Sequence, residues 1–325
     1  MSAMTRGYAD AQHNATAAMR DYYQARARNG AGLILTEGVI VHPTADGYNS
    51  VPHIASQAQA DSWKPVIKAV QSHGSRIFCQ LWHCGRISHT DYTGGVPPVS
   101  STNRPAAGIN RQNNKPYGDP VALDLEGIRQ THIYFIEAAE RALGAGFDGV
   151  ELHLGHGYLA DQFFDARVND RTDHYGESVE NRCRYALELI EKTLAKFDSR
   201  QIAVRISPSR FMGEVYDWPD LDEMLKHFIP RAWSLGLRIM DISCANADYF
   251  QTSGRIIRSV RPFWPGIILG GASLSAAQAN DEISNGLVDV VTWGRFMISN
   301  PDLPMKIERD TAWIGFSPEM LKELK

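Results

Sequence analysis

Two histidines and a tyrosine lie close together in the segment Glu151-Leu-His153-Leu-Gly-His156-Gly-Tyr158. His153 and His156 can jointly donate hydrogen bonds to one substrate oxygen. Tyr158, with an ordinary pKa of about 10, can donate a proton to carbon. Each histidine has a second interpretation as a buried imidazole with structural hydrogen bonds. A zinc site is a third, but the segment offers neither a further ligand nor a zinc-binding helix pattern, so we predict no metal.

Arg205 lies within an apolar run, Val-Arg-Ile-Ser-Pro. A charged side chain in a buried strand is costly unless it is paired. One interpretation is a structural ion pair. The other is a fixed cation beside a ligand that becomes anionic during turnover.

Glycines and an arginine form another group, Gly270-Gly271 and Gly294-Arg295. Each pair follows a predicted strand near the end of the chain. Loops after the last strands of parallel barrels often bind phosphate through backbone N–H groups, and an arginine adds a charge-assisted pair. Glycines also form tight turns without binding a ligand. The interpretation as a phosphate site is therefore supported only by the position of this group after the last predicted strands.

Short runs rich in Ile, Val and Leu alternate with longer amphipathic stretches. We predict strands at residues 32–36, 76–82, 147–152, 201–206, 238–242, 266–269 and 287–292, and helices at residues 17–28, 57–72, 125–145, 179–197, 221–235 and 276–285. Gly74, Gly146, Gly236 and Gly286 follow helices and can supply the left-handed residue that ends them. This alternation indicates parallel βαβ units.

The predicted fold class is α/β, a (β/α)8 barrel with its first strand truncated, in a single domain over residues 1–325. Residues 1–4 are expected to form only the last residues of the eighth strand. A doubly wound open sheet is the competing architecture, but the Gly-x-Gly-x-x-Gly fingerprint is absent. The long irregular stretch at residues 85–124 is expected to cover a binding site.

Several polar side chains lie where the predicted strands end. In a parallel barrel the carboxyl ends of the strands line the active site. Those ends include Thr5, Glu37, Gln80 and Trp82, followed by His153 and Arg205. We therefore expect them to converge on one site.

Composition excludes several classes of partner. The 325 residues are 43% hydrophobic and 22% charged with a net charge of −4, which is typical of a globular protein without nucleic acid or an anionic membrane as its main partner. No apolar run is long enough to span a membrane. Four cysteines without a Cys-x-x-Cys pair favour a reducing compartment, which we predict to be the cytoplasm. Oligomeric state is left open between monomer and homodimer.

These residues resemble the old yellow enzyme family along most of the chain. The motifs that carry the resemblance are Tyr22-Tyr23-x-x-Arg26-Ala27, Gln80-Leu81-Trp82-His83-x-Gly85-Arg86, Gly146-Phe147-Asp148-Gly149-Val150-Glu151-Leu152-His153, Gly157-Tyr158-Leu159-x-x-Gln162-Phe163, Asn169-Asp170-Arg171-Thr172-Asp173-x-Tyr175-Gly176, Asn181-Arg182 and Gly294-Arg295. The His/His pair is similar to that of plant oxophytodienoate reductases and bacterial nitroester reductases.

The resemblance implies FMN as cofactor and NADPH or NADH as reductant. The FMN phosphate would be held by Gly271, Gly294 and Arg295. Arg205 would face the N1/C2 edge of the flavin, Gln80 the pyrimidine side and Thr5 the O4 atom, with Gly38 also in the cofactor site.

The implied reaction is reduction of the C=C bond of an α,β-unsaturated carbonyl or nitro compound. His153 and His156 would hold the activating oxygen, Tyr158 would protonate the α-carbon, and Trp82 would shape the substrate pocket. Alternatives are a lyase or isomerase barrel for a phosphorylated substrate, a flavin-poor binding protein, and a family-type isomerase of secondary metabolism.

The start of the chain departs from the family pattern. Members normally begin with an apolar strand that runs into Met-x-Pro-x-Thr-Arg, whereas this sequence starts Met1-Ser2-Ala3-Met4-Thr5-Arg6, with Ala3 in place of proline. We expect partly unpaired edges on the neighbouring strands. A version extended upstream is then expected to be more stable and to hold more FMN.

Overall fold

Parallel strands form a curved sheet with helices on its outer side in the computed structural model, which describes residues 1–211, 213–244 and 247–325. Seven strands of the described residues pair in chain order. They are β1 Leu33–Ile40, β2 Arg76–Trp82, β3 Gly149–His153, β4 Ile202–Ile206, β5 Ile239–Ile242, β6 Ile267–Gly271 and β7 Val290–Thr292. All neighbours are parallel, as predicted for a (β/α)8 barrel.

The helices follow the strands along the chain. Within the described residues they are α1 Ala17–Arg28, α2 Gln57–Gln71, α3 Leu125–Ala145, α4 Leu159–Phe164, α5 Val179–Leu194, α6 Leu221–Ser234, α7 Ser253–Val260, α8 Ala276–Ser284, α9 Arg295–Ser299 and α10 Leu303–Glu308. Short side chains set several helix starts: Ser56 and Ser275 each form a capping box with the glutamine three residues later. Gly146 ends α3 with φ 109°, a conformation that glycine adopts without strain.

Short strands and 3-10 turns complete the connections. The strand pairs are Val99–Ser100 with Val121–Ala122, Ile109–Asn110 with Lys115–Pro116, and Ser209–Phe211 with Val215–Asp217. The 3-10 turns are Pro43–Ala45, Ser199–Gln201, Arg261–Phe263 and Pro318–Lys322. The stretch at residues 85–124 therefore has two small strand pairs of its own.

The barrel interior has its own small core. Leu35, Phe78, Ala203 and Leu269, one from each of four strands, pack together with Ala3. Phe78 reaches so far across that a Cβ on Gly149 would lie 2.5 Å from its ring. This apolar layer closes one end of the barrel, and the larger core lies between the strands and the helices.

Residues 1 and 2 bridge β1 and β7. The amide of Ser2 donates to the carbonyl of Trp293 at 2.9 Å, and the amide of Leu35 donates to the carbonyl of Met1 at 3.0 Å. We expected unpaired backbone groups along the edges of β1 and β7. These bonds provide partners for some of those groups. The comparison with a version extended upstream stays a prediction.

All seven predicted strands are confirmed: residues 76–82 have the predicted bounds, and the other six strands have shifted ends. β1 continues to Ile40 through Glu37, because a register shift between Leu35 and Gly38 accommodates the extra residues. β7 begins only at Val290, because the amides of Leu287 and Val288 still bond to Glu282 at the end of α8. The sequence analysis missed α4, α7, α9 and α10, which have five to eight residues, fewer than the roughly 11 over which helical periodicity is recognised.

No helix in the described part of the chain combines the length and apolar character needed to cross a membrane. The four cysteines are all buried and free. A cytoplasmic location stays a prediction.

Candidate active site

Alternation along the strands stacks the predicted site residues in layers. Phe78, Gln80 and Trp82 are alternate residues of β2, and Gly149, Glu151 and His153 are alternate residues of β3. Side chains two apart in a strand point to the same face. Phe78 belongs to the interior core. The later residues of each strand therefore form two further layers toward the carboxyl ends, first Gln80 with Glu151 and then Trp82 with His153.

The middle layer holds polar and charged side chains in register. Gln80 is opposite Glu151 in the β2–β3 pair, and Arg205 is opposite Asp241 in the β4–β5 pair. Gln80 Nε2 donates to Glu151 Oε2 at 2.6 Å. Burial, followed by the charge of Asp241, raises the pKa of Glu151. Burial likewise raises the pKa of Asp241, although the charge of Arg205 opposes it.

Arg205 fits both interpretations made from the sequence. Its Nε lies 3.6 Å from Asp241 Oδ2, and one terminal nitrogen donates to Ser243 Oγ. The Nε nevertheless has no hydrogen-bond partner among the described residues, although only 6% of Arg205 is exposed. The ion pair is therefore long, and the guanidinium has an N–H donor that can bind a ligand.

Four aromatic rings meet at the carboxyl end of the barrel. The ring centroids of His153 and His156 are 5.3 Å apart, and that of Tyr158 is 5.2 Å from His153. Trp82 packs edge-on against Tyr158 at 4.8 Å. The sequence-predicted catalytic residues and the predicted pocket wall therefore lie together.

Both histidines are held as neutral imidazoles. Burial, followed by the charge of Arg205, lowers the pKa of His153 and of His156 well below its ordinary value. A neutral imidazole donates one hydrogen bond. His153 Nδ1 is buried without a partner among the described residues, so the alternative of a fully satisfied structural imidazole does not describe His153.

The loop from β3 to α4 is in an unusual conformation. His156 has φ 59° and Gly157 has φ 82°, and the amide of His156 donates to Ser207 Oγ. A Cβ on Gly155 would lie 2.7 Å from the amide of Ser207. This close approach to the residues after β4 turns His156 and Tyr158 toward His153.

Asp161 anchors the same loop from inside α4. It accepts hydrogen bonds from the amide of Gly157, from Arg210 and from the indole of Trp218. Arg210 and Trp218 were not singled out by the sequence analysis. They lie in the segment after β4, where only the fold brings them near residue 161.

Gln162 connects three segments. Its Oε1 accepts from the amide of Arg86 and from Ser100 Oγ, and its Nε2 donates to the carbonyls of Cys84 and Gly157. The long stretch at residues 85–124 is thereby fixed to the loop between β3 and α4, and its role as a cover of the site stays a prediction.

Gly38 lies directly under Trp82. A Cβ at position 38 would be 2.4 Å from the indole ring, so only glycine allows this packing. Trp82 is 1% exposed and its Nε1 has no partner among the described residues. Gly38 thus positions the pocket wall, and its predicted role in the cofactor site stays a prediction.

The glycines after β6 and β7 allow close approach of backbones. A Cβ on Gly271 would lie 1.9 Å from the carbonyl oxygen of Thr292, and one on Gly294 would lie 2.8 Å from Met4 Sδ. Ala272 has φ 100°, a strained conformation for a residue with a side chain. Arg295 begins α9 immediately after Gly294. The predicted phosphate-binding residues are therefore neighbours, at the same end of the barrel as His153.

Thr5 is exposed, beside the tightly held residues that follow it. The amides of Arg6 and Gly7 both donate to Glu37 Oε2. Glu37 therefore fixes the segment that carries Thr5, next to Met4 and Gly294.

Tyr48 is a residue of this site that the sequence analysis missed. Its hydroxyl lies 2.7 Å from the hydroxyl of Tyr158. The only sequence signal is its place after β1 in Asp46-Gly47-Tyr48, a turn sequence at the carboxyl end of a barrel strand.

Comparisons with known proteins agree with this geometry. Residues 1–312 match the family described as NADH:flavin oxidoreductase / NADH oxidase. The chain belongs to this family. Its members include flavin-dependent oxidoreductases of the old yellow enzyme and oxophytodienoate reductase type, so the protein is a flavin-dependent oxidoreductase and membership implies FMN with NADH or NADPH as the type of reductant.

Individual relatives of the family cover most of the chain. It is 34% identical to 12-oxophytodienoate reductase 1 of Oryza sativa subsp. japonica, over 89% of this chain and 76% of that protein. It is 36% identical to putative 12-oxophytodienoate reductase-like protein 1 of Arabidopsis thaliana, over 88% of each. The old yellow enzyme homologue from Zymomonas mobilis is 30% identical and superposes with a TM-score of 0.91, covering 99% of this chain and 91% of that one.

The residues at the barrel mouth fit FMN. Arg205 Nε, His153 Nδ1 and Trp82 Nε1 are buried polar atoms without protein partners among the described residues. Buried donors normally have partners. Of these atoms, Arg205 Nε is a charged donor that the N and O atoms at the edge of a flavin ring would satisfy.

Proposed function

We propose that the protein reduces the C=C bond of α,β-unsaturated carbonyl or nitro compounds with electrons from NADPH or NADH. The observation that carries the proposal is the clustering of three side chains: the ring centroid of His153 lies 5.3 Å from that of His156 and 5.2 Å from that of Tyr158. Two hydrogen-bond donors and one phenol are what this addition of hydride and proton requires of the protein. FMN, when bound, supplies the hydride.

The histidines have the electrostatic role. Each neutral imidazole donates one hydrogen bond to the carbonyl or nitro oxygen of the substrate. Negative charge grows on that oxygen when hydride adds to the β-carbon, so donors already in place stabilise the transition state more than the ground state. His153 and His156 therefore both bind and activate the substrate.

Tyr158 has the acid role. It is protonated at neutral pH and donates its proton to the substrate α-carbon, and burial raises its pKa further above the ordinary value. Trp82 and the stretch at residues 85–124 form the pocket wall and limit access of water.

The cofactor would be held by residues of several strands. Arg205 would lie beside the N1/C2 edge, where its charge favours the reduced anionic flavin, and Gln80 and Thr5 would contact the ring. Gly271, Gly294 and Arg295 would bind the phosphate, with Gly38 beneath the site. The flavin does the redox chemistry and the protein supplies position and electrostatics.

The test uses the FMN-loaded protein under anaerobic conditions. NADPH or NADH should bleach the flavin absorbance, and cyclohexenone added afterwards should restore it with formation of cyclohexanone. Reduction by the nicotinamide without reoxidation by the enone would contradict the proposed substrate class. Failure of the protein to bind FMN would contradict the cofactor assignment.

A further inference from the structure

Tyr48 and Tyr158 form an isolated pair of hydroxyl groups at the barrel mouth. Their oxygens are 2.7 Å apart, and in the described part of the chain neither hydroxyl makes another hydrogen bond. The two rings meet edge to face, with centroids 6.3 Å apart. Trp82 packs against both of them at 4.8 Å, so the distance between the hydroxyls is set by packing.

A pair of hydroxyls engages one hydrogen and leaves one free. If Tyr158 donates to Tyr48, the hydrogen of Tyr158 points away from the substrate. If Tyr48 donates to Tyr158, the hydrogen of Tyr158 is free to point into the pocket, where His153 and His156 lie. Only the second arrangement suits a proton donor.

The segment that carries Tyr48 is rigidly held. Asp46 Oδ1 accepts from the amides of Gly47 and Tyr48, and Asp46 Oδ2 accepts from His53 Nε2 at 2.8 Å. The imidazoles of His13 and His53 stack with centroids 3.8 Å apart.

Gly47 and its neighbours fix the same segment from the other side. A Cβ on Gly47 would lie 2.4 Å from the carbonyl oxygen of Ile87, so the turn before Tyr48 packs directly on residues of the long stretch. Ser88 Oγ donates to the carbonyl of Asp46. Such support is expected where a hydroxyl must be held at one distance from another.

We propose that Tyr48 is a positioning residue for proton transfer: it donates its hydrogen bond to Tyr158, directs the proton of Tyr158 at the substrate, and stabilises the phenolate that remains. This inference rests on the proposed function. During the step the O–H bond of Tyr158 breaks and a C–H bond forms at the α-carbon of the enolate. The phenolate of Tyr158 then takes the proton of Tyr48, which is replaced from water.

The variant that tests this is Tyr48→Phe, which keeps the ring on Trp82 and removes only the hydroxyl. The matched control is Tyr185→Phe, because the hydroxyl of Tyr185 also pairs with one hydroxyl, Thr131 Oγ1 at 3.0 Å, between α3 and α5 away from the site. Flavin occupancy and thermal midpoints of both variants report the general cost of losing such a pair.

Rates of flavin reoxidation by cyclohexenone are measured at saturating enone, after reduction by NADPH. Tyr48→Phe should slow this step about 10- to 100-fold, as expected for a lost hydrogen bond to a charged group, with an unchanged half-saturating enone concentration. Reduction by NADPH should be unchanged, and so should reoxidation by ferricyanide, which needs no proton on carbon. A Tyr48→Phe rate equal to that of Tyr185→Phe would overturn the inference.

The double variant separates action through Tyr158 from a structural effect. In the Tyr158→Phe background the Tyr48→Phe change should have no further effect on the enone step, because the group it serves is gone. An equal slowing in both backgrounds would overturn the inference while leaving the proposed function intact. A wild-type protein that accepts electrons from NADPH and never reduces the enone would instead refute the proposed function.

Discussion

The amide of Arg6 donates to Glu37 Oε2 at 3.0 Å, joining the first residues of the chain to a carboxyl group inside β1. Gly7 makes a parallel bond to the same oxygen at 2.9 Å. Glu37 is 1% exposed, and burial raises its pKa from its ordinary value of 4.5 to about 7 against these hydrogen bonds. The segment that carries Thr5 therefore depends on a carboxyl group that titrates near neutral pH.

Glu37 makes the stability of the protein fall with rising pH. Between pH 4.5 and about 7 the folded protein keeps a proton that the unfolded chain has lost, so the free energy of unfolding decreases as the pH rises through this window. Glu37→Gln keeps an oxygen acceptor without the titration and should flatten this decrease. Urea unfolding at several pH values measures the free energy of unfolding. The same decrease with pH in the wild type and in Glu37→Gln would count against a raised pKa of Glu37.

Arg205→Met should weaken FMN binding about 10- to 100-fold, because a charged donor beside the ligand is lost. It should also make the bound flavin harder to reduce, since the reduced anionic ring loses a fixed cation. Fluorescence titration with FMN and a potentiometric titration report the two effects. Arg205→Lys keeps the charge and should recover the potential more than the affinity. No change in either quantity would place Arg205 in a purely structural ion pair.

Arg295→Ala should lower the affinity for FMN more than it changes the rates of the FMN that stays bound, because its proposed contact is with the phosphate. Arg309→Ala, an exposed arginine just after α10, is the control. The ratio of flavin to protein after dialysis and the enone rate per bound flavin separate binding from chemistry. An equal loss in both variants would remove Arg295 from the phosphate site.

His153→Ala should weaken binding of phenolic ligands, which present an oxygen like that of the enolate. Loss of one donor to a charged oxygen corresponds to about 10-fold or more in the dissociation constant. His153→Asn keeps one N–H donor and should bind more tightly than the alanine variant. Absorbance titration of the flavin with a phenol measures this series, and equal constants for wild type and His153→Ala would contradict the role.

Much of the site could be predicted from local patterns. Strand ends in a parallel barrel converge on one site, so the order of residues alone groups His153, Gln80, Arg205 and Trp82. Period two along β2 and β3 explains why the residues of each strand share one face. Both patterns depend on residues that are close together in the chain, so the sequence alone reveals them.

The contacts that complete the site join segments far apart in the chain. Tyr48 meets Tyr158 across 110 positions, and Asp161 meets Trp218 across 57. No periodicity or motif reports such distances, because they follow from how the loops pack over the barrel mouth. The pKa values of His153 and Glu37 are likewise properties of burial.

The sequence by itself determined the parallel α/β barrel, the family resemblance and the set of residues at the strand ends, since each depends on residue type and local spacing. Only the tertiary structure decided which hydroxyl lies beside Tyr158, that Gly38 makes room for Trp82, and that Glu37 holds the segment of Thr5. Those facts depend on close packing between distant segments, where tenths of an ångström decide which atoms can meet.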